Sequence, residues 1–362
     1  MMVNATPVTT PDQPAPSGNR LASVEVMRVV AIGAVLCIHA LPFSHATGRP
    51  VVGTAWDTAP VINQLARFAV PCFFVLSGVF WARRTAVPAH RWSVTRSTVS
   101  RLLLLFAGWS LVFVLPWEGD RVFPDFPVRW WANLEANVRW IGRHPWQVLF
   151  AGTNGHLWFL MSLAQATVIG ALLTGRVRDR WLLALGGALF AVYLLAKPYR
   201  QTPWGIALGF NPRNGPFLSW LFFSIGVWVA RREPATQWLR RGAVLVAGGI
   251  LLSALELTWL HAHARASLSQ DAVIGTIPFG VGVAMLALSG HPWLSWPRVA
   301  SLGSAVLGIY ASHPIFIELL GPLANRFRSG WWDLLAVGLV FGLSLALARL
   351  LARGRGTRWL VR

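Results

Sequence analysis

Ionisable side chains stand inside apolar stretches of this chain, where they are costly. A charge at the centre of a bilayer costs about 2.5–3.5 kcal/mol on insertion scales. The first such stretch, SVEVMRVVAIGAVLCIHALPF, carries Arg28 and His39 eleven residues apart. At about 100° per residue the two differ by three turns plus about 20°, so they share one helix face, separated by about 16 Å along the axis. Glu25 lies one turn before Arg28, within pairing distance. A neutral imidazole can take the proton of an attacking hydroxyl, while guanidinium groups bind phosphates or steady an oxyanion. One helix face therefore carries a polar line from Arg28 to His39.

Further polar groups are expected at the depth of His39. In VINQLARFAVPCFFVLSGVFWARR, Arg67 precedes Pro71, which removes a backbone hydrogen bond and frees a carbonyl. Ser77 and Gly78 leave room for a neighbouring helix or an extended ligand, and Arg83 and Arg84 close the segment. His156 opens GHLWFL, Glu256 lies in a later apolar run, and His313 and Glu318 lie in LGSAVLGIYASHPIFIELL. These place His39, Arg67, His156, Glu256, His313 and Glu318 in one layer.

Each has a plainer reading. Arg83 and Arg84 also suit membrane-surface anchors, His156 a hydrogen-bonding cap, and Glu256 and Glu318 charge partners for Arg67. Cys37 and Cys72 fall in apolar runs, which argues against a disulfide framework or a zinc site. Aligned with an intramembrane arginine, His39 is the residue least explained by packing.

The elements that must carry these groups are helices in a membrane. Of 362 residues, 55% are hydrophobic and 12% charged, about half the charged share of a soluble domain. That excludes an ordinary cytosolic enzyme and a disordered chain. The net charge of +19 comes almost wholly from arginines between apolar runs. There they read as topology signals, and no nucleic-acid partner is expected. Ten spans are expected, at 22–43, 61–81, 102–117, 156–175, 181–197, 215–230, 242–261, 271–290, 299–320 and 331–352, in an all-α polytopic bundle. With both termini in the cytoplasm, 19 basic residues fall inside and 11 outside. Residues 1–20 read as a disordered tail rather than a cleavable signal peptide, 21–353 as the transmembrane domain, and 354–362 as a basic cytoplasmic tail. Within the long outer loop, 129–143 reads as a helix lying in the membrane interface. Trp130, Trp131, Leu134, Val138 and Ile141 fall on one side, and Arg129, Asn133, Arg139 and Arg143 opposite. It serves as an anchor or as a lip for a lipid-linked substrate.

Four segments in order, namely Arg28, Ala31 and His39 of the first span, RFAVPCFFVLSGVFWARR, HLWFL at 156–160 and GIYASHP at 308–314, resemble the acyltransferase-3 family. Within it the chain resembles bacterial exopolysaccharide O-acetyltransferases of the xanthan type. The resemblance implies transfer of an acetyl group from acetyl-CoA to a sugar hydroxyl, without a metal, in the bacterial cytoplasmic (inner) membrane. The acceptor it implies is a lipid-linked oligosaccharide or polysaccharide. Membrane lipids and other polysaccharide-assembly proteins are the expected partners. It also implies catalytic roles for His39, Arg67 and Glu318, donor binding by Arg28, Arg83 and Arg84, and substrate contacts by His156 and His313. A carrier or flippase for a polyprenyl-linked glycan is the alternative, since many spans with intramembrane arginines suit that too.

Overall fold

The computed structural model describes residues 18–41, 58–118, 126–232, 237–327 and 329–361. The tail expected over residues 1–20 therefore lies outside them up to residue 17. The elements are helices, with no strand among the described residues. In chain order they are α1 (Gly18–Ala40), α2 (Thr58–Leu65), α3 (Ala69–Arg84), α4 (Arg91–Val112), α5 (Val128–Arg143), α6 (Pro145–Ala151) and α7 (Trp158–Leu173). There follow α8 (Asp179–Ala196), α9 (Pro216–Ala230), α10 (Trp238–Ala264), α11 (Thr276–Leu288), α12 (Pro297–Ala300), α13 (Val306–Phe327) and α14 (Gly330–Arg353).

Seven helical segments among the described residues are long and apolar enough to cross a membrane: Ala22–Ala40, Thr58–Arg84, Gly155–Leu173, Asp179–Ala196, Trp238–Ala264, Pro297–Leu323 and Gly330–Arg353. Pro216–Ala230 and Thr276–Leu288 are shorter apolar helices. The expected span at 102–117 falls within and beyond α4, which starts earlier and carries Arg91, Arg96 and Arg101 in its first half. The span expected at 271–290 is shorter than that: residues 265–275 are a non-helical loop and α11 begins at Thr276.

The first helix packs against α3, α11, α13 and α14, which makes it the axis on which the polar residues are hung. Close approach of α3 and α9 depends on two glycines. A methyl group on Gly78 would overlap the Phe223 carbonyl, and one on Gly226 the Val75 carbonyl. The space that the sequence left beside Gly78 is thus filled by a neighbouring helix. On the outer surface of α10 and α14, Val244, Leu251, Leu255, Leu335 and Leu350 are exposed, as suits a lipid-facing surface. After α14 the chain turns back, the Trp109 indole donates to the Leu360 carbonyl (2.8 Å), and Val361 is buried.

The helix expected at 129–143 is present as α5, and Arg129, Arg139 and Arg143 are exposed on it. Trp131 and Val138 are exposed, whereas Trp130, Asn133, Leu134, Asn137, Trp140 and Ile141 are half-buried. The Asn137 amide ties the half-buried side to the end of the α4 segment, donating to the Val114 carbonyl (3.0 Å).

Candidate active site

Two prolines shape the site. The ring of Pro71 cannot coexist with an unbroken α ladder over the preceding turn. The chain answers with a 3-10 turn at Ala66–Phe68, between α2 and α3, and Arg67 sits in it. Its guanidinium donates from Nε to the buried Asn63 side chain (3.0 Å) and from Nη1 to Asp271 (2.8 Å). Pro314 acts likewise within α13. Lacking an N–H, it leaves the Tyr310 carbonyl without its ladder partner. The Nδ1 of His313 donates to that carbonyl instead (2.6 Å). The proton is thereby fixed on Nδ1, and Nε2, buried and without a hydrogen-bond partner, keeps its lone pair.

Three histidines meet here. The rings of His39 and His313 lie 5.1 Å apart, and those of His313 and His156 5.3 Å apart. His39, near the end of α1, is exposed, whereas His156 and His313 are buried. Both nitrogens of His156 face oxygen acceptors, Asn154 Oδ1 at 3.0 Å and the Ala311 carbonyl at 3.3 Å. His156 is thus held on both ring nitrogens by groups of the protein. The Tyr310 hydroxyl donates to the His156 carbonyl and ties the two motifs together.

Asp271 is the residue that sequence reasoning missed. It accepts from Arg67 on one oxygen and from Arg213 on the other (3.1 Å), joining α2–α3, the loop before α9 and the loop before α11. The Arg213 guanidinium lies over the Trp158 ring of the HLWFL motif at 5.2 Å. Burial works to raise the Asp271 carboxyl. Arg213 and Arg67, with Lys197 behind them, overcome it and hold the group down at about 2. Two guanidiniums against one carboxylate leave one positive charge, and Arg67, Arg213 and Asp271 are all within electrostatic reach of His39. No local pattern announced this clamp, since both new partners lie in loops far apart in sequence.

The remaining residues divide. Glu318 engages the Asn154 amide (3.3 Å), and through Asn154 it reaches His156. Glu256, expected in the same layer, instead accepts from the Tyr199 hydroxyl (2.8 Å) and from the backbone N–H groups of Ile274 and Gly275 (2.9 and 3.0 Å). It organises the loop carrying Asp271. At the other end of α1, Arg28 pairs with Glu25 (2.8 Å), whose carboxylate packs over Gly303. Arg28 and Arg84 are also within electrostatic reach of Arg101 on α4. Arg83 and Arg84 are exposed at the end of α3. Cys37 and Cys72 are free thiols.

A polar line thus runs along α1 from Arg28, beside Glu25 and Arg101, to the histidine cluster at His39. Searches of curated proteins and of solved structures found no match. Residues 21–353 match a family model described as an acyltransferase domain. The chain belongs to the acyltransferase-3 family.

Proposed function

We propose that the protein is a membrane O-acetyltransferase. It moves an acetyl group from cytosolic acetyl-CoA to a sugar hydroxyl of a surface or exopolysaccharide unit carried on a polyprenyl lipid. It works in a bacterial inner membrane, with ten spans and both termini in the cytoplasm. Arg28, Arg83, Arg84 and Arg101 meet the phosphates of coenzyme A, and the pantetheine arm runs along α1 toward His39. The sugar oxygen attacks the thioester carbon as His39 takes the hydroxyl proton. The new C–O bond forms, negative charge gathers on the former carbonyl oxygen, and Arg67, aligned by Asp271 beside Arg213, steadies it. Collapse of the intermediate breaks the C–S bond, and the departing thiolate takes the proton from the imidazolium.

His313 and His156 hold the His39 side of the site in place, with Glu318 acting through Asn154. The observation that carries this reading is the packing of His39 on His313 within reach of a guanidinium pair, on the same helix that bears Arg28. The experiment supplies labelled acetyl-CoA and a lipid-linked oligosaccharide extract to membranes with and without the protein. Alkali-labile label entering the glycan only when the protein is present is the expected result. Equal label in both preparations would refute it.

A further inference from the structure

Where the turn between α12 and α13 meets the end of α14 lies a cavity of about 250 Å³, lined by none of the groups placed in the acyl-transfer site. Ala348 and Val361 give it an apolar wall, and Ser301, Ser304, Arg349 and Arg353 are its polar groups. The wall is packed. A methyl group on Gly308 would come within 2.6 Å of the Ala348 Cβ and 3.0 Å of Val361. The turn behind it is tied down by the Trp109 bond to Leu360 and by the Thr357 hydroxyl, which donates to the Leu351 carbonyl (2.9 Å).

The polar groups suit a phosphate. Arg349 and Arg353 stand one helical turn apart, and no carboxylate pairs with either among the described residues. From residue 334 to residue 362 the chain has five arginines and no aspartate or glutamate. Glu25, which packs over Gly303, is engaged by Arg28. The Ser301 hydroxyl is spent on the Arg298 carbonyl (2.8 Å), but Ser304 is exposed and its hydroxyl is free to donate. Two guanidiniums and a hydroxyl without a counter-charge make a strong phosphate cradle. The start of α13 adds a helix dipole of the right sign. The end of α14 opposes it with about half an elementary charge, which two full charges outweigh.

We propose that this cavity holds the headgroup of an anionic glycerophospholipid. A column of side chains favours a lipid over a free phosphate. Arg353, Leu350, Ala346, Leu343 and Leu339 follow one another at spacings of three and four, so they share one face of α14. The three leucines are exposed, and an acyl chain can lie along them from a headgroup held by Arg353. Trp359, Arg355 and Arg358, all exposed just beyond the helix, are residues suited to headgroup level. A zwitterionic headgroup would bring its ammonium toward the two guanidiniums, which selects for a net negative lipid.

Lipid binding is read by native mass spectrometry of the full chain released from detergent micelles. It is titrated with dioctanoyl phosphatidylglycerol and with dioctanoyl phosphatidylcholine. The anionic lipid should bind at least about tenfold more tightly, equivalent to about 1.4 kcal/mol. Replacing Arg349→Gln together with Arg353→Gln should remove most of that preference. Replacing Arg355→Gln together with Arg358→Gln, which deletes the same charge outside the cavity, should leave it within about twofold. All four side chains are exposed, and thermal unfolding in detergent will show that both double variants remain folded.

Equal binding of the two lipids would overturn the proposal, and so would an equal loss in both double variants, which would mean diffuse surface charge. Displacement of the lipid by an equal concentration of glycerol phosphate or coenzyme A would overturn it in favour of a soluble phosphate. None of these readouts depends on acetyl transfer, so the acyl-transfer reading stands or falls separately.

Discussion

The imidazoles of His39 and His313 stand 5.1 Å apart although one closes the first helix and the other lies near the end of the chain. His313 keeps its Nε2 lone pair because Pro314 has freed the Tyr310 carbonyl to receive its other proton. The helix defect at Pro314 and the open lone pair of His313 thus belong to one device.

Replacement of that proline tests the link. Pro314→Ala returns an N–H to the ladder, in competition with His313 for the Tyr310 carbonyl. Interior prolines cost a helix about 3 kcal/mol, so the variant should melt no lower than wild type. Acetyl transfer, assayed with labelled donor, should nevertheless fall at least about tenfold, or about 1.4 kcal/mol in barrier. Wild-type turnover would show that the defect does not serve the histidine.

Asp271→Asn removes the anchor of both Arg67 and Arg213. With its carboxyl held at about 2 in the folded protein against 3.8 ordinarily, Asp271 contributes stability that is fully present above pH 4 and lost as pH falls toward 2. The shift corresponds to about 2 kcal/mol. Apparent melting temperature against pH should therefore show a shallower acid limb in the variant and a lower plateau at neutral pH. Superimposable curves would remove Asp271 from the account.

Much of this site was legible because helical arithmetic works within one helix. Arg28 and His39 share a span, and their common face follows from eleven residues of spacing. The Arg67–Asp271–Arg213 clamp was not legible, since it joins two loops to a helix break through contacts 204 and 58 residues apart. Glu256 shows the converse limit. Its depth in the sequence matched His39, but backbone N–H groups at Ile274 and Gly275 capture its carboxylate. On α5, Asn137 and Trp140 line a cavity, which a hydrophobic pattern does not report.

Donor binding is expected at the other end of α1. Arg101→Gln and Arg28→Gln should each raise the half-saturating acetyl-CoA concentration about tenfold, near 1.4 kcal/mol, with the acceptor requirement unchanged. Initial rates at varied donor and fixed acceptor check this. An effect confined to the acceptor would place these arginines elsewhere in the reaction.

Close packing of α3 on α9 leaves no room for a side chain at Gly78. Gly78→Ala should lower stability by about 1–3 kcal/mol, the usual cost of overpacking, and thermal unfolding in detergent measures it. An unchanged melting temperature would mean that the two helices separate freely at this point.

The most direct test of the central claim compares wild type with His39→Ala in reconstituted membranes, with labelled acetyl-CoA and lipid-linked oligosaccharide supplied and protein insertion measured in both. General-base catalysis contributes about a hundredfold to ten-thousandfold. The account requires glycan-bound label in His39→Ala to fall at least about a hundredfold while the protein stays inserted. Wild-type rates of transfer in the inserted variant would contradict it.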